Sequence, residues 1–119
     1  MRIAICDDEE QYRAQLMACL TKLGGALDTD VESFYDGNEL LREYEKEPFD
    51  IAFLDPPYKS GVLFDALDKT VKIMSDYGIV FCEHPTDMRM PDSAGGFNIN
   101  RTYKFGSIAV TTYKKEVKQ

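Results

Sequence analysis

The sequence contains no long apolar run and few cysteines or histidines. None of its apolar stretches approaches the roughly 20 residues needed to cross a bilayer, and the N-terminal segment MRIAIC is too short for a signal peptide. Its three cysteines, Cys6, Cys19 and Cys82, lie in apolar surroundings without the spacing of metal ligands. We therefore expect reduced thiols in the core of a cytoplasmic protein.

Basic residues are fewer than acidic ones and are unevenly distributed along the chain. The 119 residues include 21 acidic and 14 basic ones, which gives a net charge of −7. Residues 1–55 contain 14 acidic and 5 basic residues, a net of −9, whereas residues 56–119 contain 7 and 9, a net of +2. The acidic first half disfavours general affinity for nucleic acids, because it repels phosphates. Chance clustering of charges on solvated surfaces is the alternative explanation.

Apolar runs alternate with helical apolar patterns along most of the chain, which predicts an α/β domain with a mostly parallel sheet. The predicted strands are at residues 2–6, 31–35, 51–54, 79–82, 97–105 and 108–113. Because Gly106-Ser107 separates the last two runs, we predict that they form an antiparallel hairpin. We predict the strand order 2-1-3-4-6-5 for these six strands, with strand 6 antiparallel.

Three helices are predicted between the strands, each with one apolar face. Their inward residues are Tyr12, Leu16, Cys19, Leu20 and Leu23 in the first, Leu40, Leu41 and Tyr44 in the second, and Leu63, Ala66, Leu67, Val71 and Met74 in the third. Asp8 and Gln11 have the spacing of a capping box at the start of the first helix. Residues 85–96 lack a helical period and contain two prolines and two glycines, so we predict a loop there.

Three aspartates follow strands that meet at the carboxyl edge of the predicted sheet, where open parallel sheets bind ligands. Strand 1 leads to Asp7 and Asp8, and strand 3 leads to Asp55. Their carboxylates would repel one another unless a cation lay between them, and oxygen ligands of this kind suit Mg²⁺. The sequence therefore predicts a weak magnesium site. The alternative is that Asp8 only caps a helix and Asp7 is a solvated loop residue.

Residues 1–55 resemble the first half of a response-regulator receiver domain, of the kind that drives LytTR-type DNA-binding domains. The matching segments are CDDE at 6–9, FYDG at 34–37 and FDIAFLD at 49–55. The resemblance implies that Asp7 and Asp8 help to hold Mg²⁺, completed by the Pro57 carbonyl, and that Asp55 accepts a phosphoryl group. The receiver's hydroxyl residue after strand 4 and lysine after strand 5 are not at matching positions, so we expect the phosphorylation switch to be lost.

The motif DPPY at residues 55–58 has a chemistry of its own. Its two prolines, Pro56 and Pro57, fix the backbone and leave carbonyl groups for which no local N–H competes. Asp55 adds an acceptor, and Tyr58 can stack on a base. Together these groups suit an exocyclic amine on a planar base. A rigid turn between a strand and a helix is the alternative explanation.

Residues 49–116 resemble the C-terminal half of S-adenosylmethionine-dependent N-methyltransferases, in particular those that modify guanine N2 in small-subunit ribosomal RNA. The resemblance rests on DPPYKSG, GIVFCEH and RTYKFGSIAVTTYKK. It implies that Asp55, Pro56, Pro57 and Tyr58 hold the target amine. The family's glycine-rich cofactor loop would follow strand 1, where this sequence has an acidic turn instead. We therefore do not expect S-adenosylmethionine to bind.

Both resemblances meet in FDIAFLD, which satisfies either family. We therefore predict an engineered chimera, a single Rossmann-like and flavodoxin-like hybrid domain spanning 1–119, whose halves 1–55 and 56–119 join within residues 49–58. Because each site lacks its other half, we expect no catalytic residues, no required cofactor and no enzymatic activity. Asp55 and the rest of DPPY would then be vestigial. A residual Mg²⁺-binding phosphoacceptor module and a residual RNA N-methyltransferase fragment remain as alternatives.

The sequence also leads to predictions about binding partners and about one histidine and two tyrosines. We expect no membrane contact, no specific nucleic acid, and either a monomer or a dimer formed through an exposed edge strand. The single histidine, His84, ends a strand and is expected to be a solvated edge residue rather than a base. Tyr103 and Tyr113 have strand spacing and are expected to pack against the sheet rather than stack on RNA.

Overall fold

The computed structural model describes residues 1–7, 9–24, 30–34, 47–55 and 61–116. These ranges contain seven strands and two helices. Their bounds are β1 (Arg2–Asp7), α1 (Glu10–Gly24), β2 (Asp30–Phe34), β3 (Phe49–Asp55), α2 (Val62–Val71), β4 (Met74–Pro85), β5 (Ser93–Ala94), β6 (Phe97–Phe105) and β7 (Ile108–Lys115). No helix in these ranges is long and apolar enough to cross a membrane.

All seven strands form one sheet in the order β2-β1-β3-β4-β7-β6-β5. The six predicted strands keep their predicted order, but the sheet differs from the prediction in detail. A seventh strand, β5, lies within the segment predicted to be a loop. The antiparallel direction of the last strand is confirmed, because β7 is antiparallel to both β4 and β6. Since β6–β5 is antiparallel as well, the sheet is less parallel than predicted, and parallel pairing is limited to β2, β1, β3 and β4. The C-terminal hairpin returns against β4 and reverses the strand direction there.

One face of the sheet packs against α2 and forms the main core. The buried residues of this cluster include Ala4, Cys6, Ala52, Leu54, Val80, Cys82 and Tyr113 from the sheet and Leu63, Leu67 and Val71 from the helix. The predicted inward face of this helix is confirmed at Leu63, Ala66, Leu67 and Val71. Met74 begins β4 instead, because the helix ends at Val71.

The opposite face of the sheet is only partly covered. Its middle holds Phe53 and Phe81, whose rings stack with centroids 5.1 Å apart. Both are half-buried, as are Ile51 and Asp55 on the same strand. In β3, the residues that face α2 are therefore sealed, whereas those on the opposite side are only half-buried. We call this second side of the sheet the open face.

A β-bulge in β6 changes which residues lie on each face. Ile99 pairs with Tyr113, but the next pair joins Arg101 with Thr112, so Asn100 is an extra residue in the ladder. Tyr113 belongs to the core face, whereas Thr112 pairs with Phe81 on the open face. Because Asn100 takes no ladder position, Ile99 lies on the core face whereas the later odd-numbered residues Arg101, Tyr103 and Phe105 lie on the open face.

The first helix is less buried than its pattern predicts. It contacts β1 and β2, at the edge of the sheet. Tyr12 and Cys19, both predicted to face inward, are exposed because that contact covers a narrow strip of the helix. Cys6 and Cys82 are buried thiols, as predicted. The second predicted helix, with Leu40, Leu41 and Tyr44, lies outside the described residues.

Two turns at the C-terminal end depend on glycine. Gly106 has a φ of 64° in the β6–β7 turn, which confirms the predicted hairpin. Gly95 has a φ of 52° between β5 and β6, and a Cβ there would lie 2.6 Å from Cγ2 of Val71. The turn at Gly95 therefore requires both the left-handed backbone and the missing side chain, and it fixes β5 against α2.

Candidate functional site

Three carboxyl groups lie side by side at the carboxyl edge of the sheet, on the open face. Asp7 pairs in register with Asp55, and Leu54 pairs with Cys82, which places Glu83 next to Asp55 on the following strand. Asp55 is hydrogen-bonded to both neighbouring acids. Strands β1, β3 and β4 therefore build one row of acids, Asp7–Asp55–Glu83, which we call the acid row. The predicted meeting of Asp7 and Asp55 is confirmed.

The surroundings of Asp55 raise its pKa from 3.8 to about 7. Burial is the largest cause, because removal from water disfavours the charged form. Repulsion from Glu83 and then from Asp7 adds to it, and so do the hydrogen bonds to both. At neutral pH, Asp55 is therefore divided between acid and carboxylate. A group in this state can both accept and return a proton, as catalytic acids and bases do.

Asp7 is fixed by the start of α1. It is buried, and its Oδ1 accepts a hydrogen bond of 2.9 Å from the backbone N–H of Glu9. The guanidinium of Arg13 donates to the Asp7 carbonyl at 3.0 Å. The alternative that Asp7 is a solvated loop residue is therefore wrong, because it supports the first turn of the helix. Asp8, with its predicted cap, lies outside the described residues.

The predicted magnesium site stays a prediction. It needs Asp7, Asp8 and Asp55, and only the first and last of these are described. Across the described ranges, no group of three or more histidine, cysteine or acidic side chains has an arrangement that could hold a metal ion. Pro56, Pro57 and Tyr58 of the DPPY motif also lie outside the described residues, so their predicted contact with a base stays a prediction as well.

His84 is buried, and the expectation of a solvated edge residue is wrong. Its Nδ1 donates to the Pro85 carbonyl at 2.8 Å, so in the neutral ring Nε2 accepts from the Thr111 hydroxyl at 2.6 Å. The cause is long-range, because β4 continues to Pro85 and pairs with β7 there. His84 alternates with Glu83 and therefore points away from the acid row, so it has a structural role on the core face.

The two tyrosines proposed for packing differ in their environments. Tyr113 is fully buried, and its hydroxyl donates to the Pro91 carbonyl at 2.6 Å, which confirms the packing role. Burial raises the pKa of this hydroxyl well above its usual range. Tyr103 is 43% exposed, so the same prediction is wrong for it. The bulge at Asn100 explains this difference, since it moves Tyr103 to the open face.

Glu83 is the site residue that the sequence interpretation missed. A signal for it exists, because FDIAFLD and GIVFCE both place an acid after a short apolar run. Two adjacent parallel strands that end in this way bring their acids together at one edge.

Comparison with known proteins identifies the family. Residues 2–114 match the family described as "Conserved hypothetical protein 95". The chain belongs to this family. The match runs without a break through residues 49–58, where two unrelated halves were predicted to join. The prediction of an engineered chimera is therefore wrong, and the comparisons give no support to a receiver half. The charge break and the acidic first turn are features of one family member.

A curated relative is the Bacillus subtilis (strain 168) protein named "Putative rRNA methyltransferase YlbH". It is 30% identical over 66 residues, which cover 53% of this chain and 35% of the relative. The match thus spans about a third of that protein's length.

Solved structures show the same fold. A conserved hypothetical protein from Streptococcus pyogenes has a TM-score of 0.67 at 18% identity, covering 97% of this chain and 86% of that one. An rRNA methylase from Streptococcus thermophilus has a TM-score of 0.56 at 15% identity, covering 96% and 86%.

These findings correct three further predictions. The expectations of no enzyme and no S-adenosylmethionine conflict with relatives named as methyltransferases, and the expectation of no specific nucleic acid conflicts with the words rRNA in their names. The error about the cofactor came from treating the acidic turn after β1 as a barrier. S-adenosylmethionine carries a sulfonium and an ammonium group, and the carboxylates of the acid row are complementary to such charges. The residues of the described edge therefore fit the donor in their chemistry.

Proposed function

We propose that the chain is an S-adenosylmethionine-dependent methyltransferase domain that acts on an exocyclic amine of a base in ribosomal RNA. The observation that carries the proposal is the position of Asp55, which ends β3 within the acid row and immediately precedes Pro-Pro-Tyr. Its pKa of about 7 matches a proton acceptor at neutral pH. The named relatives support the same reaction class.

The carboxyl edge of the sheet would hold the methyl donor. When bound, S-adenosylmethionine supplies an electrophilic methyl group on a sulfonium centre. Asp7 and Glu83 would provide negative charge toward the cationic groups of the donor, and their positions on β1 and β4 place that charge on both sides of Asp55. Ligands of open α/β sheets bind at this edge, outside the strand ends.

Asp55 would act on the target amine. Its carboxylate accepts a hydrogen bond from the amine and so orients the nitrogen lone pair toward the methyl carbon. Methylation would form the carbon–nitrogen bond and break the carbon–sulfur bond of the donor, whose sulfur would keep the electron pair. The amine would then lose one proton, which Asp55 would take. Pro56 and Pro57 would offer backbone carbonyls to the same amine, and Tyr58 would stack on the base.

Methyl transfer measured with the Asp55→Asn variant tests the proposal. Ribosomal RNA and S-adenosylmethionine labelled in its methyl group are incubated with the protein, and label in the RNA is counted. The asparagine keeps the shape but cannot take the proton, so we expect a loss of activity of about 10²- to 10⁴-fold. Asp65→Asn, which removes an exposed carboxylate on α2, is the matched control. Unchanged activity of Asp55→Asn, or no transfer by the wild type, would contradict the proposal.

A further inference from the structure

The β6–β7 hairpin exposes a strip of aromatic and apolar side chains on the open face. Phe105 is 65% exposed, Tyr103 is 43% exposed and Ile108 is 38% exposed. Arg101 is exposed on the same side of β6, two residues before Tyr103. We call these four residues, Arg101, Tyr103, Phe105 and Ile108, the hairpin strip. Large apolar side chains grouped around a cation on a half-open sheet face commonly mark a binding surface.

The hairpin strip continues the acid row across the sheet. Glu83 pairs with Val110, and Val110 pairs with Tyr103, so Asp55, Glu83, Val110 and Tyr103 occupy one row on four neighbouring strands. Three inter-strand steps separate Asp55 from Tyr103, or about 14 Å. Ile108 and Phe105 form the next row, paired with each other and with Pro85. A chain lying on the strip would therefore lead directly to Asp55.

The charge of the hairpin is opposite to that of the rest of the chain. Residues 97–115 contain four basic residues, Arg101, Lys104, Lys114 and Lys115, and no acidic residue. The remaining residues contain all 21 acids and 10 bases, a net charge of −11. An anionic partner is therefore repelled by most of the molecule and attracted to this hairpin, which gives the contact a defined place.

We infer that the hairpin strip holds the single-stranded RNA that flanks the methylated base. This inference rests on the proposed function and adds the surface that presents the substrate. Tyr103 and Phe105 stack on bases, and Arg101, two residues from Tyr103 on the side away from Phe105, neutralises a phosphate. Stacking platforms combined with basic side chains are the usual means of binding single strands without reading their sequence.

A second copy of the chain is the competing occupant, because β6 has a partly open edge. Among the described residues, only the two-residue strand β5 pairs with that edge, at Phe97 and Asn98. Pairing of two copies along β6 would bring Arg101 and Lys104 close to their equivalents, and like charges on adjacent strands are destabilising. The charge of the strip thus favours an anionic partner over a second copy.

Fluorescence anisotropy with a labelled single-stranded polyuridine RNA of about 12 nucleotides, without methyl donor, tests the inference. Tyr103→Ala and Phe105→Ala should each weaken binding about 10- to 100-fold, whereas Tyr103→Phe keeps the ring and should bind as the wild type does. Tyr77→Ala is the matched control, because Tyr77 is 81% exposed near the opposite end of β4 and should not contribute. Arg101→Ala should lower the slope of log affinity against log salt by about 1.

The outcomes separate this inference from the proposed function. Equal RNA affinity of Tyr103→Ala, Phe105→Ala and Tyr77→Ala would overturn the inference, as would a wild type that binds no RNA. The inference would also be overturned if the strip joins two copies of the chain. In that case Phe105→Ala would convert a dimer to a monomer in sedimentation and leave the RNA affinity unchanged. If RNA binding depends on Tyr103 and Phe105 but the wild type transfers no methyl group, only the proposed function is contradicted.

Discussion

The carboxyl groups of Asp55 and Glu83 lie next to each other on parallel strands and are joined by a hydrogen bond. The negative charge of Glu83 disfavours ionisation of Asp55 and so contributes to its raised pKa. On its other side, Asp55 has Asp7 as a second acidic neighbour, one that the N–H of Glu9 holds in place. The proton affinity of Asp55 therefore depends on residues of three strands, β1, β3 and β4.

Glu83→Gln should lower the pKa of Asp55. The substitution keeps the size of the side chain and removes the largest repulsion that Asp55 experiences. Burial, the leading cause of the shift, is unchanged, so the pKa should remain above 3.8. Titration of the Asp55 side-chain carbon by NMR measures the change, with Glu10→Gln on the exposed start of α1 as control. A pKa that stays at about 7 would show that Glu83 exerts no influence.

The stability of the protein should decrease between about pH 4 and pH 7 because of Asp55. Its pKa is raised on folding from 3.8 to about 7, so the folded state binds the proton more tightly than the unfolded state does. The resulting stabilisation is complete below the unfolded pKa and is lost as the pH rises through the folded one.

Asp55→Asn removes this dependence. The variant should gain on the order of 1 kcal/mol relative to the wild type on going from pH 5 to pH 8, a figure reduced for partial exposure to solvent. Urea denaturation at both pH values measures the difference, with Asp76→Asn on the surface as the control. A gain that is the same at both pH values would refute the linkage.

Gly95→Ala should destabilise the protein more than Gly106→Ala. Both glycines have positive φ, so alanine costs about 1 to 2 kcal/mol at either position. Only at Gly95 would the new Cβ also collide with Val71, whereas nothing lies within 4 Å of the position at Gly106. We expect a total loss of about 3 kcal/mol at Gly95, measured by thermal unfolding. Equal losses at both positions would show that α2 yields to the extra atom at little cost.

Thr111→Val should destabilise the protein by about 1 to 3 kcal/mol. The substitution keeps the shape of the side chain but removes the hydroxyl that donates to Nε2 of the buried His84, so a polar atom is left without its partner. Thr86→Val, at an exposed position after β4, should have little effect. RNA methylation by Thr111→Val should show no loss beyond that caused by unfolding, because His84 faces away from the acid row. A loss of activity in Thr111→Val protein that remains folded would contradict this.

Local patterns were sufficient for the order of the strands and for the meeting of Asp7 with Asp55. Both follow from short-range rules, namely alternating strands and helices, right-handed crossovers and acids at strand ends. The burial of His84 could not be predicted in this way, since it depends on pairing with Ala109, which lies 25 positions later. The same limit applies to Tyr103, whose exposure depends on a single unpaired residue in β6.

The family of the chain could not be identified from its short motifs either. DPPY and FDIAFLD each suit a specific chemistry. FDIAFLD, however, is only seven residues long and matches both families, so it cannot show which family the residues on either side of it belong to. The turn after β1 has acidic residues where a glycine loop is expected, but their charge is complementary to a cationic donor. A match extending from residue 2 to residue 114 resolved what two short motifs could not.

The bulge at Asn100 has a consequence for how β6 tolerates changes in length. Ile99 pairs with Tyr113 and Arg101 pairs with the next residue of β7, Thr112, so Asn100 occupies no position of its own in the ladder. Loss of Asn100 would therefore make the ladder regular and leave Arg101, Tyr103 and Phe105 on the open face. If the strand instead paired Asn100 and excluded no residue, the same three side chains would turn toward the core face. The orientation of the hairpin strip is therefore set by which residue the strand leaves unpaired and not by the number of residues in the strand.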